Sequence, residues 1–219
     1  MENIVLTALT WAPPFAQGIV RDLRVRWALE EAGWSYQIEL VDAATRQTPG
    51  FRARQPFGQV PVFAADGLEL FESGAIVQLI AEQCETLMPS DAAGRAETLA
   101  WIYAALNTLE PPVLNLFAID VVYPDEQWAK LRRPAAAKEV DTRLAALSDR
   151  LFERDYLTGR FSAADILMAT VLRFLHKSGA VEAHPLVAAY LQRCEARPAF
   201  RKALAQQTAD FEQNEPLAA

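Results

Sequence analysis

From Ile4 to Leu9 the chain is apolar, with Val5 and Thr7 favouring extended backbone, and it breaks at Trp11-Ala12-Pro13-Pro14. A buried strand running into a loop has this form. From Val20 the apolar positions Val20, Leu23, Val25, Trp27, Ala28 and Leu29 recur every three to four residues and stop at Gly33, which predicts a helix. Tyr36 to Val41 alternates like a strand covered on one side. A polar, Arg-rich stretch over 45–55 holds a second helix and ends in the loop Gln55-Pro56-Phe57-Gly58. Val60 to Ala64 then reads as a strand, Asp66-Gly67 as a hairpin turn, and Leu68 to Phe71 as its partner strand. Ser73 stands where it can cap a helix whose apolar face carries Ile76, Val77, Leu79 and Ile80. The first 82 residues therefore predict the order β-α-β-α-β-β-α.

Beyond Pro89-Ser90-Asp91 nothing alternates with period two, and stripes of helical period run to residue 212. Helices are expected over about 92–120, 126–152, 162–177, 185–196 and 198–212, the first kinked by Pro111-Pro112. The expected organisation is an α/β domain over 1–82, a linker over 83–91 and an all-helical domain over 92–219, with a frayed tail from Asn214. Phe161-Ser162-Ala163-Ala164-Asp165-Ile166 adds a reciprocal cap at one helix start, in which Ser162 and Asp165 bond each other's backbone and Phe161 packs on Ile166. Its role is structural.

Composition narrows the function classes. The 219 residues are 52% hydrophobic and 22% charged, as in a folded globular protein, and no apolar run approaches the length of a spanning helix. A net charge of −7 repels phosphate backbones, so nucleic acid is not an expected partner, and neither is a membrane. Cys84 and Cys194 lack any CxxC spacing, which argues for a reducing, cytoplasmic setting and against a zinc site or a dithiol. The acidic start Met1-Glu2-Asn3 does not look like a signal peptide. His176 and His184 stand too far apart to make a metal pair, so no metal is expected.

Pro61 in an otherwise strand-like run forfeits a ladder hydrogen bond. It is either a trans proline on an edge, or a cis proline that turns the backbone N–H and C=O of Val60 outward to pair with an extended peptide. Ser73 is either an ordinary cap or a receiver for a carboxylate at a positive helix end, with Glu72 beside it able to hold an α-ammonium group. The hairpin between them brings Val60 and Ser73 to one end of neighbouring elements, an arrangement that fits a γ-linked tripeptide.

Pro56-Phe57-Gly58-Gln59-Val60-Pro61 followed by Phe71-Glu72-Ser73-Gly74-Ala75-Ile76 resembles the glutathione-binding signature of the cytosolic glutathione S-transferase family. With the element order, the resemblance covers essentially the whole chain and implies a thioredoxin-like first domain. It implies that Glu72 and Ser73 bind the γ-glutamyl group, that Val60 pairs with the cysteinyl backbone, that Pro61 is cis, and that Gln59 contacts the glycyl end. By the same resemblance an Arg of the second helix, Arg46 or Arg54, is the candidate to neutralise the glycyl carboxylate, the alternative being ordinary solvated surface charges.

The family activates the glutathione sulfur with a Tyr, Ser or Cys near the first helix, because the thiolate is the nucleophile. This chain departs from that pattern. Between Ile4 and Ala32 it has none of the three, its hydroxyls there are Thr7 and Thr10, and the usual hydroxyl position falls near Ile19. Thr10, the positive end of the first helix and the Arg21 guanidinium remain as devices, with Gln17 as a weaker neutral donor. Trp11 and Phe15 on the stiff Pro13-Pro14 loop, and Tyr103, Asn107 and Phe117 on the long helix, are candidates for contact with an apolar co-substrate or for ordinary packing. The resemblance implies a transferase that presents the glutathione thiolate to a small electrophile held between the domains. It also implies a homodimer, for which Phe71 and Ala75 to Leu79 offer apolar surface. A glutathione-binding regulator and a glutathione-dependent disulfide reductase or isomerase use the same first-domain site.

Overall fold

The computed structural model describes residues 1–216. Two compact units emerge, one formed by Met1–Leu87 with the last helix, the other by Met88–Arg197. The first contains β1 (Ile4–Leu9), α1 (Asp22–Ala32), β2 (Tyr36–Val41), a single 3-10 turn, α2 (Pro49–Arg54), β3 (Val62–Ala65), β4 (Leu68–Phe71) and α3 (Ser73–Ala81). Its sheet has the order β2-β1-β3-β4, with β1 parallel to β2 and the other two pairings antiparallel. This is the expected β-α-β-α-β-β-α arrangement of a thioredoxin-like domain. Ile4, Leu6, Leu23, Val25, Trp27, Phe63, Ile76 and Ile80 form its buried interior. Gly33 ends α1 in the left-handed conformation, φ 71°, as the sequence requires of a helix stop. The strand that includes Pro61 starts later than expected, at Val62, because a proline nitrogen cannot join the ladder.

The second unit contains α4 (Ala92–Tyr103), α5 (Glu110–Phe117), α6 (Gln127–Leu151), α7 (Ala163–Leu172) and α8 (Pro185–Glu195). The long helix expected over 92–120 is divided by widened turns at Ala104–Leu109 and Ala118–Val122. Pro111 and Pro112 lie in the first turn of α5. Neither can donate to a carbonyl of the preceding turn, and a wide turn accommodates that loss better than a plain kink. The reciprocal cap of α7 forms as expected, and its carboxylate does more than close the helix start. Asp165 accepts from the N–H groups of Ser162 and Leu157 and from the Tyr190 hydroxyl, at 2.9, 3.0 and 2.9 Å. Phe161 meets the Tyr156 ring and lies under the Arg197 guanidinium.

The final helix, α9 (Pro198–Gln213), departs from the expected organisation by packing on α1 in the first unit. Trp27 meets Phe200 with ring centroids 4.8 Å apart, and the Arg26 guanidinium bonds Asp210 at 2.5 Å. Asn214, where fraying was expected, keeps a backbone bond to Phe211 and a side-chain bond to Asp210, and the tail past residue 216 lies outside the described residues. Among the described residues no helix is long and apolar enough to cross a membrane.

Candidate functional site

Sheet register brings the candidate residues together. Leu9 pairs with Val41 on parallel strands, Leu6 with Phe63 and Val62 with Phe71 on antiparallel ones. The ends of β1, β2 and β4 and the start of β3 therefore share one edge of the sheet. The loop after β1, the segment after β2 and the start of α3 all leave from that edge. Thr10 donates its backbone N–H to Val41 O at 3.0 Å, tying the first loop to β2. Phe51 of α2 is buried against Val41 and Val62, with Val60 packed on the same cluster.

The Val60–Pro61 bond is cis. Val62 next to it donates its N–H to the buried hydroxyl of Thr7 at 2.7 Å. Among the described residues neither the N–H nor the C=O of Val60 has a protein partner, which leaves an edge for an extended peptide. Glu72 is exposed at φ 72°, ψ 110° and occupies the cap position of α3. Ser73 is thus the first helical residue, and the expectation that it caps the helix is corrected. Ser73 is 3% exposed, and its hydroxyl accepts a hydrogen bond from Arg24 Nη1 at 3.3 Å. The helix ladder begins with Ile76 N–H on Glu72 O, so the N–H groups of Ser73, Gly74 and Ala75 precede it at the positive end. These donors beside an exposed carboxylate suit a zwitterionic amino-acid end.

The two arginines proposed for the glycyl end separate clearly. Arg54 gives its guanidinium to Glu39 and Glu69, at 3.0 and 2.7 Å, and these bonds lift its pKa above the ordinary arginine value. Arg46 reaches Gly58 O at 3.2 Å, one residue before the exposed Gln59, and its buried Nε lacks a hydrogen-bond partner. Of the two, Arg46 is the one that no carboxylate among the described residues holds.

Immediately after β1, Thr10 is half-buried, and its hydroxyl has no protein partner among the described residues. Arg21 is half-buried immediately before α1. Gln17 donates to Ala12 O at 3.0 Å, closing the loop on itself, which weakens it as a donor to a ligand. Trp11 is half-buried and Phe15 is 41% exposed on the same loop. In the helical unit Tyr103 and Asn107 are exposed, whereas Phe117 is packed edge-on against Phe174 at 5.2 Å. His176 meets Glu195 and His184 meets Asp141, and no group of metal-ligating side chains forms among the described residues. Arg24 is the contributor that sequence reasoning missed. A cavity of about 500 Å³ in the first unit, lined by Arg26, Glu30, Trp34, Tyr36, Lys202 and Asp210, lies among residues that were not candidates.

Comparison with known proteins agrees with this geometry. The family model for the glutathione S-transferase N-terminal domain matches residues 17–82, and that for the C-terminal domain matches residues 113–198. Glutathione S-transferase 4 of Zea mays is 31% identical over 200 residues, spanning 82% of this chain and 85% of its own. A Burkholderia graminis glutathione transferase solved with two glutathione molecules per subunit is 29% identical, with a TM-score of 0.78 over 93% of this chain and 88% of the other. A Pseudomonas fluorescens family member solved with two glutathiones bound gives 26% identity and a TM-score of 0.81, over 93% and 92%. With both domain models in order along the sequence, and the cis bond and serine-tipped helix at one edge of the sheet, the chain belongs to the glutathione S-transferase family.

Proposed function

We propose that the protein is a glutathione transferase that binds glutathione at the sheet edge formed by Val60, Pro61, Glu72 and Ser73. The convergence of the cis Val60–Pro61 bond with the start of α3 carries this reading. The Val60 backbone pairs with the cysteinyl residue as an added strand. Ser73 and the first N–H groups of α3 take the γ-glutamyl carboxylate, and Glu72 takes the ammonium group. Gln59 and Arg46 receive the glycyl end, supported by the reach of Arg46 to Gly58 O beside Gln59. The thiol then faces the loop after β1, where Thr10 and Arg21 stabilise the thiolate by a hydroxyl donor and a positive charge. The thiol proton leaves to solvent, the sulfur lone pair forms a bond to the electrophilic carbon, and the leaving group departs with its electron pair. Trp11 and Phe15 offer apolar surface for a small co-substrate.

The working form is a homodimer. Phe57, 63% exposed and edge-on to Phe71 with ring centroids 6.3 Å apart, offers apolar surface on the first unit that supports this. The test is retention on immobilised glutathione followed by assay against an aryl halide, an enone and an organic peroxide. Retention with conjugation is the expected result, and failure to bind glutathione would remove the assignment. A second reading, a glutathione binder without transferase activity, is favoured by the absence of Tyr, Ser and Cys between Ile4 and Ala32. Retention without conjugation across that panel would select it.

A further inference from the structure

We propose that Arg24 is a positioning residue: it fixes the Ser73 hydroxyl as a donor to the ligand's α-carboxylate and so sets the preference for a γ-glutamyl group whose α-carboxylate is free. The inference rests on the glutathione reading of the Ser73 site and deepens it. Arg24 lies on α1, is 2% exposed, and directs Nη1 at Ser73 Oγ, 3.3 Å away. A guanidinium has N–H donors and no acceptor, whereas a serine hydroxyl has one proton and two lone pairs. Once Arg24 fills a lone pair, the Ser73 proton cannot turn back to it.

Among the described residues no protein acceptor takes that proton, although the side chain is almost fully buried. The hydroxyl therefore stands as an oriented donor beside the N–H groups of Ser73, Gly74 and Ala75, a set that matches the oxygens of one carboxylate. The guanidinium donor behind the oxygen strengthens the O–H as a donor in its turn. A structural helix start needs no such backing, since water or a simple cap satisfies it.

The experiment compares glutathione with its analogue lacking the α-carboxylate, 4-aminobutyryl-cysteinylglycine, by calorimetry on the full chain. The native protein is expected to bind glutathione roughly 100-fold more tightly than the analogue. Arg24→Gln is expected to cut that ratio about tenfold by weakening glutathione alone, and Arg24→Lys, which keeps the charge, to recover part of it. In a Ser73→Ala background the Arg24→Gln effect on the ratio should shrink below about twofold, because the hydroxyl it orients is gone. Equal weakening of both ligands, or no change in either, would show a merely structural arginine and overturn the proposal.

The unmodified protein gives an answer even if the Arg24 variants fail to fold. The Arg24 guanidinium resonances should shift on saturation with glutathione and stay in place with the analogue, and unmoved signals with glutathione would overturn the proposal. If Ser73→Ala leaves glutathione affinity intact, the γ-glutamyl reading has failed and the role of Arg24 falls with it. If Ser73→Ala weakens binding while Arg24→Gln leaves the ratio unchanged, Arg24 alone is excluded.

Discussion

Arg24 and Arg26 are two residues apart on α1 and equally hidden from solvent, yet the two faces of the helix use them differently. On the α9 face, Arg26 gives Nε to Asp22 at 2.8 Å and Nη2 to Asp210 at 2.5 Å. Burial opposes its charge, but the two carboxylates prevail and hold its pKa above the ordinary arginine value. Gln207 bonds Asp22 at 2.8 Å, and the Tyr36 hydroxyl meets Gln206 at 2.5 Å, so polar pairs fasten α9 across α1 and β2. On the α3 face, one guanidinium nitrogen of Arg24 reaches the Ser73 hydroxyl at a helix start, where a ligand is expected. Residue type and burial alone do not say whether a hidden charge is a fastener or part of a binding site. Its partners do.

The sharpest test of this contrast is Arg26→Ala, which strands Asp22 and Asp210 and should cost about 3–5 kcal/mol in chemical unfolding. In the cold, where the variant is still folded, its affinity for glutathione should change less than about twofold. A large loss of affinity would merge the two faces into one functional unit. The reverse dissociation is expected of Glu72→Ala with Ser73→Ala. Calorimetry should show glutathione affinity reduced by about 100-fold or more, while the thermal midpoint moves by no more than about 5 °C. Unchanged affinity would place the ligand elsewhere.

The helical unit supplies a contrast in pH behaviour. Burial raises the Asp165 carboxyl to about 6, against the pull of its hydrogen bonds to Leu157, Tyr190 and Ser162. A carboxyl whose folded pKa exceeds its unfolded value binds more protons when folded. Its contribution is therefore full below about pH 4 and is lost as pH rises through about 6, on the order of 3 kcal/mol. The stability advantage of the native protein over Asp165→Asn should shrink between pH 4.5 and 7, and a constant difference would mean that Asp165 does not titrate in that window. The smallest effect is expected at the thiol. Arg21→Ala and Thr10→Val should each raise the pKa of bound glutathione by about one unit, read from thiolate absorbance against pH. If neither moves it, the helix-end amides remain as the donors.

Much of this was legible in the residue pattern because it is local. The strands Ile4–Leu9, Tyr36–Val41 and Leu68–Phe71 match their periodicity, and the Ser162–Asp165 cap is written within four residues. The pairing of Gln59-Val60-Pro61 with Glu72-Ser73 was equally visible, since the hairpin between them fixes their proximity. What escaped is non-local. Asp210 lies 184 residues from Arg26, so no pattern near either could show that α9 joins the first unit. Arg24 and Arg26 read as ordinary helix charges, although the apolar residues Leu23, Val25, Trp27, Ala28 and Leu29 leave α1 no polar stripe to carry them. Arg46 and Arg54 look interchangeable until Glu39 and Glu69 are seen to claim one of them.

The two cysteines differ in accessibility in a way that serves experiment. Cys194 is fully enclosed in the helical unit, and burial pushes its thiol well above the usual range, whereas Cys84 is partly open to solvent three residues after α3 ends. A maleimide dye should therefore attach at one place in the native protein without mutagenesis, giving a fluorescent reporter eleven residues along the chain from Ser73.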